Sequence, residues 1–321
     1  MCASSRAPTL RPTSSTDGPN AMSALPSATL ALPPSPATDF ARAGQRREAR
    51  LATAAVPAVL VVVLVLGVPC VWLLGLSFVG ADGALSLHNY TALFADAAYA
   101  RSLWLTLWMA AVTTAICLVA GYALAYAMTL IPRPAATLAL ALVALPFWTS
   151  VLVRTYAWLI LLQNRGIVNN LLTGAGIIDE PLRLMHNSTG ALIGMVHIML
   201  PFMVFPLHAA LGKIDGDHLR AAAAMGASPF YAFWRVFFPQ SLAGVAAGCV
   251  LVFVLSLGFY ITPALLGGGK SIVMSIAIEH DISRNMNWGP GSAAAVMFVA
   301  GVLCIFAVVT RFMSLERLFQ R

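Results

Sequence analysis

Residues 236–269 read VFFPQSLAGVAAGCVLVFVLSLGFYITPALLGGG, 34 residues without a charge between Arg235 and Lys270. A helix crosses the hydrocarbon core of a bilayer in about 20 apolar residues, whereas a buried helix of a water-soluble core runs about 10–14. This stretch therefore reads as a membrane span, and the same test extends outward along the chain. Arg50 to Asp82 encloses 31 uncharged residues, Arg101 to Arg133 another 31, and Arg183 to Lys213 29. Arg133 to Arg165 encloses 31 interrupted only by Arg154, and Arg284 to Arg311 encloses 26. Six such gaps predict six transmembrane helices in an all-α integral membrane protein. A β-barrel is excluded, because its strands alternate polar and apolar residues over short segments.

Composition agrees. Of 321 residues 60% are apolar and 10% charged, against about 25% charged in soluble domains. So few charges cannot cover two soluble domains, and so apolar a chain is not disordered. An even number of spans puts both termini on one side. If that side is the cytoplasm, the N-terminal tail, the turn at Arg133, the loop 212–241 and the C-terminal tail carry 13 of the 19 Lys and Arg, while the outer side holds 6 basic and 6 acidic residues. The whole net charge of +7 then lies inside, as the positive-inside rule requires. The basic excess needs no nucleic acid. The expected organisation is a disordered cytoplasmic tail (1–50), a first span (51–81), an external loop (82–100), a core of five spans (101–312) and a short cytoplasmic tail (313–321). The first apolar run starts only after Arg50, too late and too long for a signal peptide. Met1 and Met22 are both open as start sites.

Several motifs are expected to be chemically silent. Gly267-Gly268-Gly269-Lys270-Ser271 resembles the end of a phosphate loop, but Ala264 stands where that motif needs a glycine; a flexible outer loop is expected. Glu279-His280-Asp281 are adjacent and do not point one way, so no metal site is expected. Gly190/Gly194 and Gly244/Gly248 are spaced for close helix approach. Asn89-Tyr90-Thr91 and Asn187-Ser188-Thr189 are glycosylation acceptors only in a suitable secretory pathway. Four of the five cysteines lie inside spans without C-x-x-C spacing, and packing is their expected role. None of the six gaps contains Asp or Glu. Ion-coupled carriers use intramembrane acids or His relays, and only His197 and His208, about three turns apart, could serve. Energy for transport is expected from another subunit.

The loop between the fourth and fifth spans, Lys213 to Pro239, is more articulate. Asp215 or Asp217 can cap a helix start. Leu219–Met225 is Ala-rich. Gly226 suits a helix C-terminus. Ser228 then caps a second helix with Pro229 at its first position, and Pro239 is expected to end it. The result is a helix–turn–helix hairpin at the membrane surface. Phe230, Tyr231, Phe233, Trp234, Phe237 and Phe238 are too many aromatics for a solvated connector; they call for the membrane interface or a protein partner.

This loop resembles the EAA loop in permease subunits of ATP-binding-cassette importers. Ala221, Ala222, Gly226, Ala227, Phe233 and Pro239 match, and Arg220 replaces the leading Glu. Pro146-Phe147-Trp148-Thr149-Ser150, with Arg154-Thr155-Tyr156-Ala157-Trp158, resembles the third-helix signature of spermidine/putrescine-type permeases. Gly258-Phe259-Tyr260-Ile261-Thr262-Pro263-Ala264-Leu265-Leu266-Gly267-Gly268 resembles the end of their fifth helix. The resemblance covers about residues 51–312. It implies a type I importer permease fold in a bacterial inner membrane. It also implies a small organic ion as solute: a polyamine first, with opines and phosphonates in the same branch.

The implied partners are a second homologous permease, a cytoplasmic ATPase dimer that holds ATP and Mg, and an external (periplasmic) solute-binding protein. This chain would itself bind no cofactor and hydrolyse nothing. Arg154, Tyr156, Trp158, Phe259 and Tyr260 are the pathway or gate candidates. Arg154 is read either as an anchor that snorkels to the outer interface or as a bracing group at the gate. Phe147, Trp148, Tyr156 and Trp158 could stack on an organic cation. A self-contained carrier or channel, and a scaffold that binds a partner through the same hairpin, are the competing readings.

Overall fold

The first membrane span is helix α1, Val59–Leu76. The structure is a computed structural model that describes residues 56–57, 59–80 and 83–319. The tail 1–50, with Met22 and Cys2, lies outside the described residues. After α1 the chain makes a tight turn closed by an antiparallel bridge between Val79 and Leu85. The buried Asn89 side chain pins this turn by donating to the carbonyls of Ser77 (3.0 Å) and Val79 (2.9 Å). Helix α2 (His88–Ala95) leads into α3 (Ala97–Leu130), which Asp96 caps by accepting from the Ala98 N–H. Thirty-four residues of α3 extend about 51 Å, well beyond the ~30 Å hydrocarbon core.

The third expected span is not one helix. Helix α4 (Arg133–Ala144) passes into a 3₁₀ turn (Leu145–Trp148), and α5 (Val151–Leu161) leaves it at 98°. Pro146 is the physical reason. It has no N–H to continue the helix, and its ring crowds the carbonyl four residues back. Thr149 then turns extended and closes back on the Pro146 carbonyl through its N–H (3.1 Å) and its hydroxyl (2.8 Å). The described residues therefore contain five long apolar spans, and a sixth if the bent pair is counted as one.

Helix α6 (Ile167–Gly174) is tied to the following loop by the buried Asn169, and α7 (Ser188–Leu211) is capped by Asn187. Then come α8 (Gly216–Ala224), α9 (Pro229–Ala232), a π turn (Phe233–Phe237) and α10 (Phe238–Leu257). Helices α11 (Ile261–Leu266), α12 (Met274–Glu279) and α13 (Trp288–Phe319) complete the chain.

Helix α7 is the central span, packed between α3 and α10. Cys117 of α3, Ile198, Met203 and Leu207 of α7, Phe237 of the π turn and Val252 of α10 share one core cluster. The small-residue spacings serve close approach, as expected. A Cβ at Gly244 would lie 2.4 Å from the Ala210 Cβ, and one at Gly248 would lie 2.6 Å from the Met203 sulfur. Cys117 is buried and Cys249 half-buried, while Cys70 and Cys304 are exposed. Exposed Val, Leu and Ile side chains cover the outer faces of the spans, where lipid is as apolar as they are.

The Gly267–Ser271 stretch is not the free loop expected from its glycines. It forms a short 3₁₀ turn with Ser271 fully buried, and Gly268, at φ +61°, lies against His186.

Candidate functional site

The hairpin between α7 and α10 is built as its punctuation suggests. Asp215 caps α8 through its carboxylate, which accepts from the Asp217 N–H at 3.0 Å. Gly226 has φ +87°, a left-handed conformation that side chains with a Cβ adopt at a penalty. It lets the Gly226 N–H reach the Ala223 carbonyl and the Ala227 N–H reach that of Ala222, both at 3.0 Å. Ser228 caps α9 by accepting from Tyr231 N–H, with Pro229 in the first turn. Ala222 faces inward and is buried, whereas Ala221 is exposed. Arg220 reaches back one turn to Asp217 (3.2 Å) with both side chains largely exposed; such a pair contributes little stability. Met225, Phe230, Tyr231 and Trp234 are exposed.

Pro239 does not end the second helix. Residues Pro229–Leu257 form one continuous helical span, because the π turn precedes the proline. The wider turn lets Phe238 N–H bond the Phe233 carbonyl, five residues back. A π bulge is a recognised way of absorbing such an interruption. The second arm of the hairpin is thus the beginning of the fifth span, and Phe233, Phe237 and Phe238 turn inward instead of toward a partner. Tyr126 of α3 meets Phe233 edge-on (5.4 Å, 77°) and Phe237 likewise (5.3 Å, 74°). Tyr122 lies one turn earlier, against Phe233 and Phe238, with its hydroxyl 3.0 Å from Ser241 Oγ. These two tyrosines escaped the sequence reading. Their signal was a four-residue spacing, which puts both on one face of α3.

The gate candidates divide into two sets. Trp158 donates its indole N–H to His197 Nδ1 at 3.1 Å, the rings 5.6 Å apart, which joins α5 to α7. Arg154, one turn before Trp158, is half-buried, and its Nε has no hydrogen-bond partner among the described residues. His208 is half-buried on α7, eleven residues beyond His197, and its Nδ1 likewise has none there. Phe259 packs against the buried clusters at the break between α10 and α11, and its carbonyl accepts from Ser275. Tyr156 and Tyr260 are exposed, as is Trp148 at the α4–α5 bend; Phe147 at the same bend packs on Phe202 and Phe205. Thr155 and Thr262, unremarked in the sequence, are fully buried and joined at 3.1 Å.

At the α12–α13 connection Tyr99 donates its hydroxyl to Asp281, and Asn285 donates to the same carboxylate at 3.2 Å. Burial pushes the Asp281 carboxyl above its usual range; Asn285 opposes the shift and Asp96 adds to it. Glu279 and His280 approach within 3.8 Å. Among the described residues no three His, Cys, Asp or Glu side chains are grouped to hold a metal.

Comparison with known proteins places this architecture. Residues 133–320 match the family described as "Binding-protein-dependent transport system inner membrane component". The chain is 37% identical over 246 residues to the spermidine/putrescine transport system permease protein PotB of Haemophilus influenzae, covering 74% of this chain and 86% of that protein. It is 35% identical over 240 residues to PotB of Escherichia coli, covering 73% and 87%. A putative 2-aminoethylphosphonate permease, PhnU of Salmonella choleraesuis, is 28% identical over 55% of this chain and 62% of that protein. Among solved structures, a bacterial ABC transporter that imports alginate has a chain of the same fold. That chain has TM-score 0.68 and 17% identity, and the match spans 83% of this chain and 96% of the other. Six apolar segments, a capped hairpin before the fifth and a family match over most of the chain lead to one conclusion: this protein is a multi-pass inner-membrane permease component of a binding-protein-dependent ABC importer and belongs to that family.

Proposed function

We propose that the chain forms one half of the membrane pathway of a polyamine importer, with spermidine and putrescine as its solutes. The relatives that carry those names match it over most of their length. The hairpin 215–239 is the observation that carries the mechanism. Each arm is capped at its N-terminus, Gly226 turns the chain between them, and Met225, Phe230, Tyr231 and Trp234 are exposed. In this reading Arg220, Ala221, Ala222, Gly226 and Ala227 form the docking element for a cytoplasmic ATPase, with Phe233 and Pro239 at its root. The ATPase, a dimer, binds the ATP and Mg, and this chain supplies no hydrolytic site.

A second, homologous permease closes the pathway, and a periplasmic protein delivers the solute. One solved relative is an alginate transporter in complex with a periplasmic protein bound to an alginate pentasaccharide. The Lys and Arg bias puts both termini and the hairpin in the cytoplasm. Closure of the ATPase dimer would move the docked hairpin, and the spans would rock between inward- and outward-open states.

The gate in this reading is built at the α4–α5 bend, where one span is interrupted, and at the junction where α10 gives way to α11. Interrupted spans mark binding sites in transporters generally. Trp158, Tyr156, Phe259 and Tyr260 offer aromatic faces to an amine, and Arg154 of α5 braces the gate. With no carboxylate of this chain in the spans, selection would rest with the delivering protein.

The test is uptake of radiolabelled spermidine by cells that lack their own polyamine importer. Uptake should appear only when this chain is expressed with its partner subunits, and excess putrescine should compete. Uptake by this chain alone, driven by a proton gradient and lost on changing His197 or His208, would overturn the reading.

A further inference from the structure

Leu219 and Phe233 of the hairpin pack against the core cluster that holds Phe237. A half-open pocket of about 260 Å³ remains at the base of the hairpin, between Leu219, Ala223, Ala227 and Ala232 on one side and Tyr126, Phe233 and Phe237 on the other. Beside that space the connection is made by rings. Phe233 stacks on Phe237 (5.8 Å, 24°), and Tyr126 meets both edge-on. Tyr122 completes the bracket from the preceding turn of α3. Ser241 Oγ donates its one hydrogen to the Phe238 carbonyl at 2.7 Å. The 3.0 Å contact with Tyr122 must therefore have the tyrosine as donor. All three phenylalanines sit in or next to the π turn, so α3 grips the fifth span at its one irregular point.

A load applied to α8 and α9 has three routes into the membrane. One runs back along the chain through residues 212–215 into α7, and one runs forward through the π turn, where the α-helical hydrogen bonding is reset. The third passes sideways through the rings into α3, which packs along α7 and α10. Interiors packed this closely deform little, whereas an unsupported π turn next to a cavity can yield.

We propose that Tyr126, supported by Tyr122, is a positioning residue of the transport cycle, converting displacement of the hairpin into displacement of α3. The inference rests on the reading of the hairpin as the ATPase-docking element. Tyr126 itself touches neither solute nor nucleotide in this account. Its ring, not its hydroxyl, does the positioning.

The experiment uses the whole complex in proteoliposomes, with radiolabelled spermidine and the loaded periplasmic protein. Three quantities are measured: ATPase retained on the permease, ATP hydrolysis with and without the periplasmic protein, and spermidine moved per ATP. In Tyr126→Leu the ATPase stays bound and basal hydrolysis is unchanged. Spermidine moved per ATP falls about tenfold, the scale of one or two lost ring pairs. Tyr126→Phe retains the wild-type ratio, and Tyr126→Leu combined with Phe233→Leu is no worse than the first change alone.

A wild-type ratio in Tyr126→Leu overturns the proposal. Should Tyr126→Leu fail to assemble, Phe237→Leu decides: a lowered ratio supports the bracket and an unchanged one overturns it. ATPase that stays bound at the wild-type level when Gly226→Val disrupts the hairpin overturns the docking reading, and the proposal with it.

Discussion

The hydroxyl of Thr155 lies 3.1 Å from that of Thr262, both fully buried, and the pair joins α5, which begins at the bend of the third span, to α11, which follows the end of the fifth. Thr155 spends its own hydrogen on the Val151 carbonyl at 2.8 Å, so Thr262 is the donor between them. Gly194 of α7 makes room for this joint; a Cβ there would lie 2.7 Å from the Thr262 methyl. Helices α5 and α11 are thus joined to each other, and α11 is seated on the central helix.

This polarity makes the two threonines unequal. Thr155→Val leaves the buried Thr262 hydroxyl without its acceptor and should destabilise by about 1–2 kcal/mol. Thr262→Val leaves Thr155 bonded to its own turn. It should cost about 0.6 kcal/mol, the average for interhelical hydrogen bonds in membranes. Thermal melting in detergent of both single variants and the double variant checks the order. Equal losses would contradict the assigned donor.

Gly226→Val places a β-branched residue at φ +87°. The local penalty is about 1–2 kcal/mol, small against the whole membrane domain. The spans should insert and accumulate normally, while ATPase co-purification and spermidine uptake both fall sharply. Gly226→Asn, which tolerates the left-handed region, should keep most of both.

Gly244→Ala sets a methyl 2.4 Å from the Ala210 Cβ, and that partner has no rotamer by which to move away. Helices α7 and α10 must separate, at about 1–3 kcal/mol. Ala210→Gly in the same chain should restore most of the loss. A melting series of the two single variants and the double variant reads this directly, and additive losses would refute the contact.

Asp281 supplies the pH dependence. Its folded carboxyl titrates above the ordinary range because burial disfavours the ion. The stability it contributes is therefore fully present below the unfolded carboxylate range and lost as pH rises through the raised folded value. Asp281→Asn keeps an acceptor for Tyr99 and removes the charge. Relative to wild type, the variant should gain stability as pH rises from acid toward neutral. Parallel melting curves for the two proteins across that range would exclude the effect.

The bends of the fold were only half legible. Pro146 and Pro239 look alike in sequence, each following a run of apolar residues. The first breaks its span by 98°, whereas the second sits inside a continuous one. The difference is what surrounds them. Before Pro239 the helix widens into a π turn packed by rings from α3; at Pro146 it tightens into a 3₁₀ turn, with Phe147 held by Phe202 and Phe205 of α7 and Trp148 exposed. The same holds for the loop aromatics. Phe230, Tyr231 and Trp234 are exposed, while Phe233 and Phe237 turn inward to Tyr126, a residue more than 100 positions away.

What the sequence determined by itself was the number and placement of apolar segments, the caps of the hairpin and the glycine that turns it. These follow from local rules: bilayer thickness, unpaired backbone groups at helix ends and the steric penalty of a Cβ at positive φ. Only the tertiary structure decided that Tyr122 and Tyr126 hold the hairpin root, that Trp158 bonds His197, and that Thr155 meets Thr262. Those pairs join residues 39 to 119 positions apart. No local propensity encodes them; they appear when the spans pack and each buried polar group must find its partner.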